Sequence, residues 1–208
     1  MIRRIVDLLV AFPALLLLAP VFLAVAVAIR LDSAGNPFYG GRRVGLLGRT
    51  FRMWKFRTMV ADADRRGPGI TANADPRITR LGAFLRRTKL DELPQFFNLL
   101  SGELTLVGPR AEVPDIVERY SEAQRAILEA KPGITGPGQI HYTTDQQQEI
   151  PAGVAADDYY VQHLLGPKLQ IDLDYLRRRT WRSDLGIVWM TVRVMAAGLL
   201  GRGAGSAQ

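Results

Sequence analysis

The chain has 208 residues, of which 48% are hydrophobic and 23% charged; this excludes a disordered chain and suits one modest domain with an appendage. It contains no cysteine and two histidines, His141 and His163, so thiol catalysis, cysteine-ligated zinc, iron–sulfur clusters and disulfides are excluded and a histidine-rich metal site is disfavoured. A formal charge of +7 and a pI near 10.1 require an anionic partner: nucleic acid, a membrane surface or a phosphorylated substrate.

From Leu8 to Ile29 the chain carries 22 residues without a charge, enough for a membrane helix, which needs about 20. A cleaved signal peptide fits poorly: its apolar region is shorter and ends in a small-residue cleavage site, whereas this run ends at Arg30-Leu31-Asp32. Pro13 and Pro20 lie inside the run, each removing a backbone hydrogen bond. Both flanks are basic, with Arg3 and Arg4 before and Arg30 after, so the positive-inside tendency places neither end outside. A re-entrant helix broken near Pro20 satisfies both observations. A plain spanning helix competes with it, because prolines are tolerated in membrane helices.

The positive charge is concentrated. Between Arg42 and Lys89 there are 13 Lys and Arg against three Asp, and the rest of the chain carries 14 against 17 acids. Most cations in this block are arginines, whose planar fork of donors matches phosphate. Residues 51–59 are predicted as a strand with Lys55 and Arg57 on one face, residues 62–75 as a polar loop, and residues 77–87 as a helix with its arginines on the polar side. Two further helices are predicted over 92–100 and 113–130, the latter stopped by Pro132-Gly133. Near the C-terminus Ser183-Asp184 caps an apolar run, Leu185 to Leu200, beside an arginine cluster with Trp181 and Trp189. The pattern fits a helix in the lipid headgroup layer or an ordinary core helix.

Two adjacent acids carry the chemical signal. Lys89-Leu90-Asp91-Glu92-Leu93-Pro94-Gln95 sets neighbouring carboxylates at a helix start, since Pro94 is tolerated in a first turn. Asp91 then lies where amides and the helix dipole favour an anion, well placed to meet a phosphate; carboxylates can be phosphorylated as covalent intermediates. Val107-Gly108-Pro109-Arg110 follows, with a turn that aims Arg110 at a nearby group. Singly, an N-cap aspartate and a surface arginine explain such features equally well.

The ordered set Lys55-Phe56-Arg57-Thr58-Met59, Leu90-Asp91-Glu92-Leu93-Pro94-Gln95, Val107-Gly108-Pro109-Arg110, Pro132-Gly133-Ile134-Thr135-Gly136 and Asp158-Tyr159-Tyr160-Val161, behind an apolar N-terminus, closely resembles the bacterial sugar transferases, the small monotopic polyprenyl-phosphate phosphoglycosyl transferases. The resemblance covers about Arg3 to Arg193. It implies an enzyme that moves a sugar 1-phosphate from a UDP-sugar to undecaprenyl phosphate, through a covalent phosphosugar-enzyme, with release of UMP and a need for Mg2+. On the matching motifs Asp91 is the nucleophile and Glu92 its dyad partner, both near the metal, while Lys55, Arg57, Arg86 and Arg110 bind substrate phosphates. The implied fold is a small, mostly helical α/β body with a re-entrant membrane helix-break-helix at residues 1–31, a catalytic body at 32–182 and an interfacial amphipathic helix and tail at 183–208. The implied location is the cytoplasmic face of the bacterial inner membrane, in the minimal form without an extra N-terminal membrane domain, initiating glycoconjugate or exopolysaccharide synthesis.

Two departures from the family pattern stand out. Ala19 precedes Pro20 where members often carry serine, so the bend rests on Pro20. No arginine occurs near Thr143, a position linked in some relatives to the donor sugar, which points to a different sugar. A nucleic-acid-binding protein would explain the pI but not the apolar run, so no nucleic-acid partner is expected; a non-enzymatic membrane adaptor would read anionic lipid with the same basic block.

Overall fold

The computed structural model describes residues 2–63, 75–142, 154 and 156–199. The expected polar loop at 62–75, the Thr143 position and the tail beyond residue 199 fall largely or wholly outside them.

The N-terminal apolar run forms one helix, α1 (Ile2–Asp32), with Pro13 and Pro20 inside it. The helix-break-helix expected from Pro20 is not seen as an interruption: the helix is continuous. At 1.5 Å per residue it is about 46 Å long, and it is long and apolar enough to cross a membrane. Yet the body packs along it from end to end. Near its start Arg4 donates to the carbonyls of Leu99 and Leu100 at 2.5 and 2.6 Å, and Asp7, buried, accepts from the Leu106 amide at 2.9 Å and from the Thr105 hydroxyl. Midway the Phe22 ring meets Phe56 and Phe97. Ile29 is buried in the same cluster, and beyond the last turn Arg57 donates to the carbonyls of Ser33 and Ala34. The opposite face, with Leu9, Phe12, Leu16, Leu23 and Val27 at helical spacing, is exposed. Both prolines are exposed too.

β1 (Phe38–Val44) and β2 (Thr50–Phe56) form an antiparallel hairpin, Phe38 opposite Phe56 and Val44 opposite Thr50. The predicted strand therefore ends three residues early. α2 (Arg80–Arg87) starts at Thr79, whose hydroxyl accepts the Gly82 amide. Gly82 is required by close approach: a Cβ there would stand 2.0 Å from the Thr58 carbonyl oxygen. The predicted 92–100 helix divides into a 3-10 turn, Leu90–Glu92, and α3 (Gln95–Ser101), with Pro94 at the N-cap. Asn98 pins α3 to β2, accepting the Trp54 amide and donating to the Arg52 carbonyl.

β3 (Thr105–Val107) runs parallel to β4 (Gly133–Thr135). The single helix expected over 113–130 is instead α4 (Pro114–Glu118), α5 (Glu122–Arg125) and a 3-10 turn, because Ser121 and Gln124 form a capping box that starts α5 afresh. α6 (Pro137–His141) and α7 (Ala156–Tyr159) follow. A π-helical stretch, Tyr160–Leu165, leads into α8 (Gly166–Arg178), and α9 (Trp181–Leu199) closes the described chain. Among the described residues the fold is thus mostly helical, with two small two-stranded sheets. The main core packs Val44 against Ile116, Val117, Ile127, Leu165 and Leu169. On α9 Leu185, Trp189 and Val192 are exposed at helical spacing, and its start adjoins that of α1 through Arg3, which pairs with Asp184 and lies over Trp181.

Candidate active site

Asp91, expected at or beside a helix start, lies in the 3-10 turn between α2 and α3, ahead of the α3 N-terminus. The turn is entered through Lys89, which adopts a left-handed backbone (φ 58°), an unfavourable state for a side chain with a Cβ and one that recurs at functional sites. This backbone turn buries Asp91, which is 6% exposed. Its Oδ1 is buried and has no hydrogen-bond partner among the described residues. Burial pushes the Asp91 carboxyl above its usual pKa, Glu92 adds to the effect, and Lys55, Lys89 and Arg86 pull against it. A poorly solvated carboxylate is more basic and more nucleophilic.

Glu92 is held differently. Its Oε1 receives Lys55 Nζ at 2.7 Å and lies 3.6 Å from an Arg110 nitrogen. Burial alone would raise its pKa, but Lys55, Arg110 and Lys89 outweigh it and hold the carboxyl well below the carboxylate range. Neighbouring acids of one turn therefore have opposed environments, the pattern by which paired carboxylates divide roles.

Lys55 reaches the dyad from β2, whose face is fixed by the hairpin register. Arg110 follows β3 on a tight turn. Gly108 there presses against the backbone of residues 131–133, where a Cβ would stand 2.6 Å from the Lys131 carbonyl oxygen. The Arg110 guanidinium also donates to Gln139 Oε1 of α6 at 3.2 Å. Arg86, in the last turn of α2, donates to the Thr58 hydroxyl at 2.8 Å and interacts electrostatically with Asp91. Lys55, Arg86, Asp91, Glu92 and Arg110 are thus brought together. Arg57 is not: β2 ends at Phe56, so the two-residue alternation that would align Arg57 with Lys55 does not extend to it, and its guanidinium is committed to Ser33 and Ala34. Pro20 is remote in sequence and on the outward face of α1.

Several residues around the site were given no role by the sequence, although Gln95 and Thr58 lie inside the motifs it singled out. Gln95, the first residue of α3, is 2% exposed and its Nε2 is buried without a hydrogen-bond partner among the described residues. Thr58 and Gln139 steer the two arginines. Such roles depend on contacts between distant segments, which no local pattern encodes.

The buried, unpartnered Asp91 Oδ1 beside an ionised Glu92 is a donor set that fits Mg2+, which is commonly held by one or two carboxylates with substrate phosphates completing its shell. Among the described residues there is no group of three or more acids or histidines placed to hold a metal ion.

A pair of carboxylates ringed by the half-buried cations Lys55, Arg86 and Arg110, on a body bearing a long apolar helix, fits an enzyme that handles phosphates. The chain belongs to the bacterial sugar transferase family, which it matches over residues 1–198. It is 39% identical over 176 residues to the exopolysaccharide production protein ExoY of Sinorhizobium fredii, covering 77% of each chain. It is 35% identical to the UDP-glucose:undecaprenyl-phosphate glucose-1-phosphate transferase of Escherichia coli over 92% of its own length, and 34% identical to the UDP-N-acetylgalactosamine-undecaprenyl-phosphate N-acetylgalactosaminephosphotransferase of Aeromonas hydrophila over 95%. It spans 39% and 44% of the lengths of those two enzymes.

Proposed function

We propose that this chain transfers a sugar 1-phosphate from a UDP-sugar to undecaprenyl phosphate, with Asp91 as covalent nucleophile. The observation that carries the reading is the buried Asp91, with its unpartnered Oδ1, set among Lys55, Arg86 and Arg110. The Asp91 carboxylate attacks the β-phosphorus of the donor. An oxygen–phosphorus bond forms, the bridging oxygen leaves with the electron pair, and UMP departs. An oxygen of undecaprenyl phosphate then attacks the same phosphorus and displaces Asp91, giving the lipid diphosphate-sugar. Both substrates are anions that would repel a carboxylate, so the cations around it must offset their charge before attack. Glu92 stays ionised and orients Lys55 and Arg110. Mg2+ held by Asp91 and Glu92 would supply further neutralisation of the diphosphate.

A polyprenyl acceptor leaves the bilayer only at about 0.8 kcal/mol per CH2 exposed, so the site must stand at headgroup depth. The contacts of α1 support one-sided entry. A spanning helix would hold its ends across about 30 Å of hydrocarbon, whereas Arg4 and Asp7 near one end and Ser33 past the other grip the same polar body. In this reading α1 enters and leaves the cytoplasmic leaflet, with any bend at Pro13 and Pro20 on its outward side, and the exposed faces of α1 and α9 lie in lipid.

The test is a screen of UDP-sugars for UMP release with undecaprenyl phosphate and Mg2+. Turnover of at least one donor, abolished by EDTA and restored by Mg2+, is expected. Membrane binding without nucleotide chemistry on any donor would favour the adaptor reading.

A further inference from the structure

The turn that carries Arg110 is clamped to the turn that opens α6. Two backbone hydrogen bonds join them, from the Gly108 amide to the Thr135 carbonyl at 2.8 Å and from the Gly133 amide to the Pro109 carbonyl at 2.9 Å. The approach is so close that a Cβ on Gly136 would stand 2.2 Å from the Gly108 carbonyl oxygen. Side chains meet across the same seam. Arg110 Nη2 lies 3.6 Å from Glu92 Oε1, and Arg110 Nη1 donates to Gln139 Oε1 at 3.2 Å. The guanidinium is therefore held from two sides, by an acid and by a neutral amide. The Gln139 amide has a fixed sense, because its Nε2 faces the Gly133 carbonyl at 3.5 Å.

What seats Gln139 comes from α8. The first turn of α6 cannot cap itself: Gly136, at the N-cap, has no side chain, Pro137 has no N–H, and the Gly138 amide needs an acceptor from elsewhere. Asp172, 1% exposed, supplies it. Its Oδ1 accepts the Gly138 amide at 2.8 Å, and a Cβ on Gly138 would stand 2.8 Å from its Oδ2. α8 is itself fixed near both ends. One turn before Asp172, Lys168 Nζ lies 2.7 Å from the buried Glu112 Oε1 and donates to the Tyr160 hydroxyl at 2.6 Å. The π-helical stretch Tyr160–Leu165 takes up one extra residue and so brings Tyr160 and Lys168 onto one face. Just past α8, Arg179 donates to the Val107 carbonyl at 2.6 Å, on the strand that feeds the Arg110 turn. Asp172, Gly138, Gln139 and Arg110 thus form an unbroken chain of contacts from α8 to Glu92.

We propose that Asp172 and Gln139 act in series as the positioning residues of Arg110: Asp172 seats the start of α6, and Gln139 holds the guanidinium toward the donor diphosphate with a neutral acceptor. A second carboxylate in that place would neutralise the charge the diphosphate needs, whereas an amide aims the guanidinium and leaves its charge for the substrate. This rests on the phosphate-handling role given to Arg110 above. Both residues act through Arg110 and neither meets a reacting atom.

The test is a set of double-mutant cycles on the full chain in detergent, read as the dissociation constant of UDP with Mg2+, which needs no knowledge of the donor sugar. Gln139 is half-buried, and Gln139→Ala, the principal variant, is expected to keep its melting temperature. It should bind UDP about tenfold more weakly in the wild-type background, and less than about twofold more weakly when Arg110 is already alanine. Asp172→Ala should behave in the same way, and combining it with Gln139→Ala should cost no more than either change alone. Asp172→Asn, which keeps an acceptor for the Gly138 amide, should recover most of the affinity. If Asp172→Ala does not fold, the Gln139→Ala cycle and Asp172→Asn decide. Equal losses in both Arg110 backgrounds, no loss in either, or losses that add would overturn the positioning role while leaving the Arg110 assignment intact. An Arg110→Ala protein that binds UDP like wild type would overturn that assignment, and the positioning role with it.

Discussion

Lys55 Nζ lies 2.7 Å from Glu92 Oε1, one residue beyond the buried Asp91, so in the proposed reaction the cation that offsets substrate charge is itself fixed by the acid that does not attack. Both groups are largely buried, and a buried pair loses far more when one partner is removed than it contributes as a pair. Lys55→Met is expected to lower kcat by about 10²–10³-fold, the usual cost of a preorganised charge-stabilising donor, with the protein still membrane-bound. A kcat within threefold of wild type would show that Glu92 needs no such partner.

Asp172 and Glu112 impose opposite pH dependences on stability. Burial raises the Asp172 carboxyl to about 6, against the Gly138 amide and Lys168; the folded state binds its proton more tightly than the unfolded chain, so ionisation costs stability that is recovered as pH falls from above 6 toward 4, by an amount on the order of 3 kcal/mol. Glu112 is depressed to about 2, because Lys168 and Arg110 outweigh its burial; its stabilisation is complete above about pH 4.5 and is lost as pH falls through 4 toward 2. The melting temperature in detergent is therefore expected to rise from pH 7 to 5 and fall below 4. Asp172→Asn should flatten the rise without altering the acid limb.

Asp7 ties α1 to β3. Asp7→Ala would leave the Leu106 amide and the Thr105 hydroxyl without their acceptor, a cost of about 1–3 kcal/mol. A fall in melting temperature of about 2–4 °C per kcal/mol is expected for a chain of this size, and an unchanged value would mean that α1 does not rest on the body in this way.

One-sided insertion has its own test. Cysteines placed at Ile2 and Ala34 of the cysteine-free chain should both resist an impermeant thiol reagent in intact spheroplasts and both react after permeabilisation. Labelling of one alone in intact cells would mean a spanning helix.

The sequence was informative where the physics is local. The apolar run, the basic block, the break at Pro132-Gly133 and the acids at Asp91 and Glu92 all follow from residue type and spacing, and the motif order carries the family. What it did not carry is tertiary. The two-residue alternation placed Arg57 beside Lys55, but the strand ends at Phe56, and only the path from α1 decides where Arg57 goes. Pro94 correctly marked a helix start, while the separate turn holding Asp91 depends on the left-handed Lys89, for which lysine gives no signal. The long helix expected over 113–130 ignored the capping box at Ser121. Glu112 and Lys168 are 56 residues apart and meet only through the π-helical register ahead of α8.

The most direct test of the account is the covalent step at Asp91, which needs no lipid. Wild-type protein mixed with its donor and Mg2+ in the absence of undecaprenyl phosphate should release UMP and gain the mass of one phosphosugar on the peptide containing Asp91, whereas Asp91→Asn, which keeps the side chain's size but removes its charge, should fold, bind membrane and do neither. An adduct mapped to another residue, or near-normal turnover by Asp91→Asn, would contradict it.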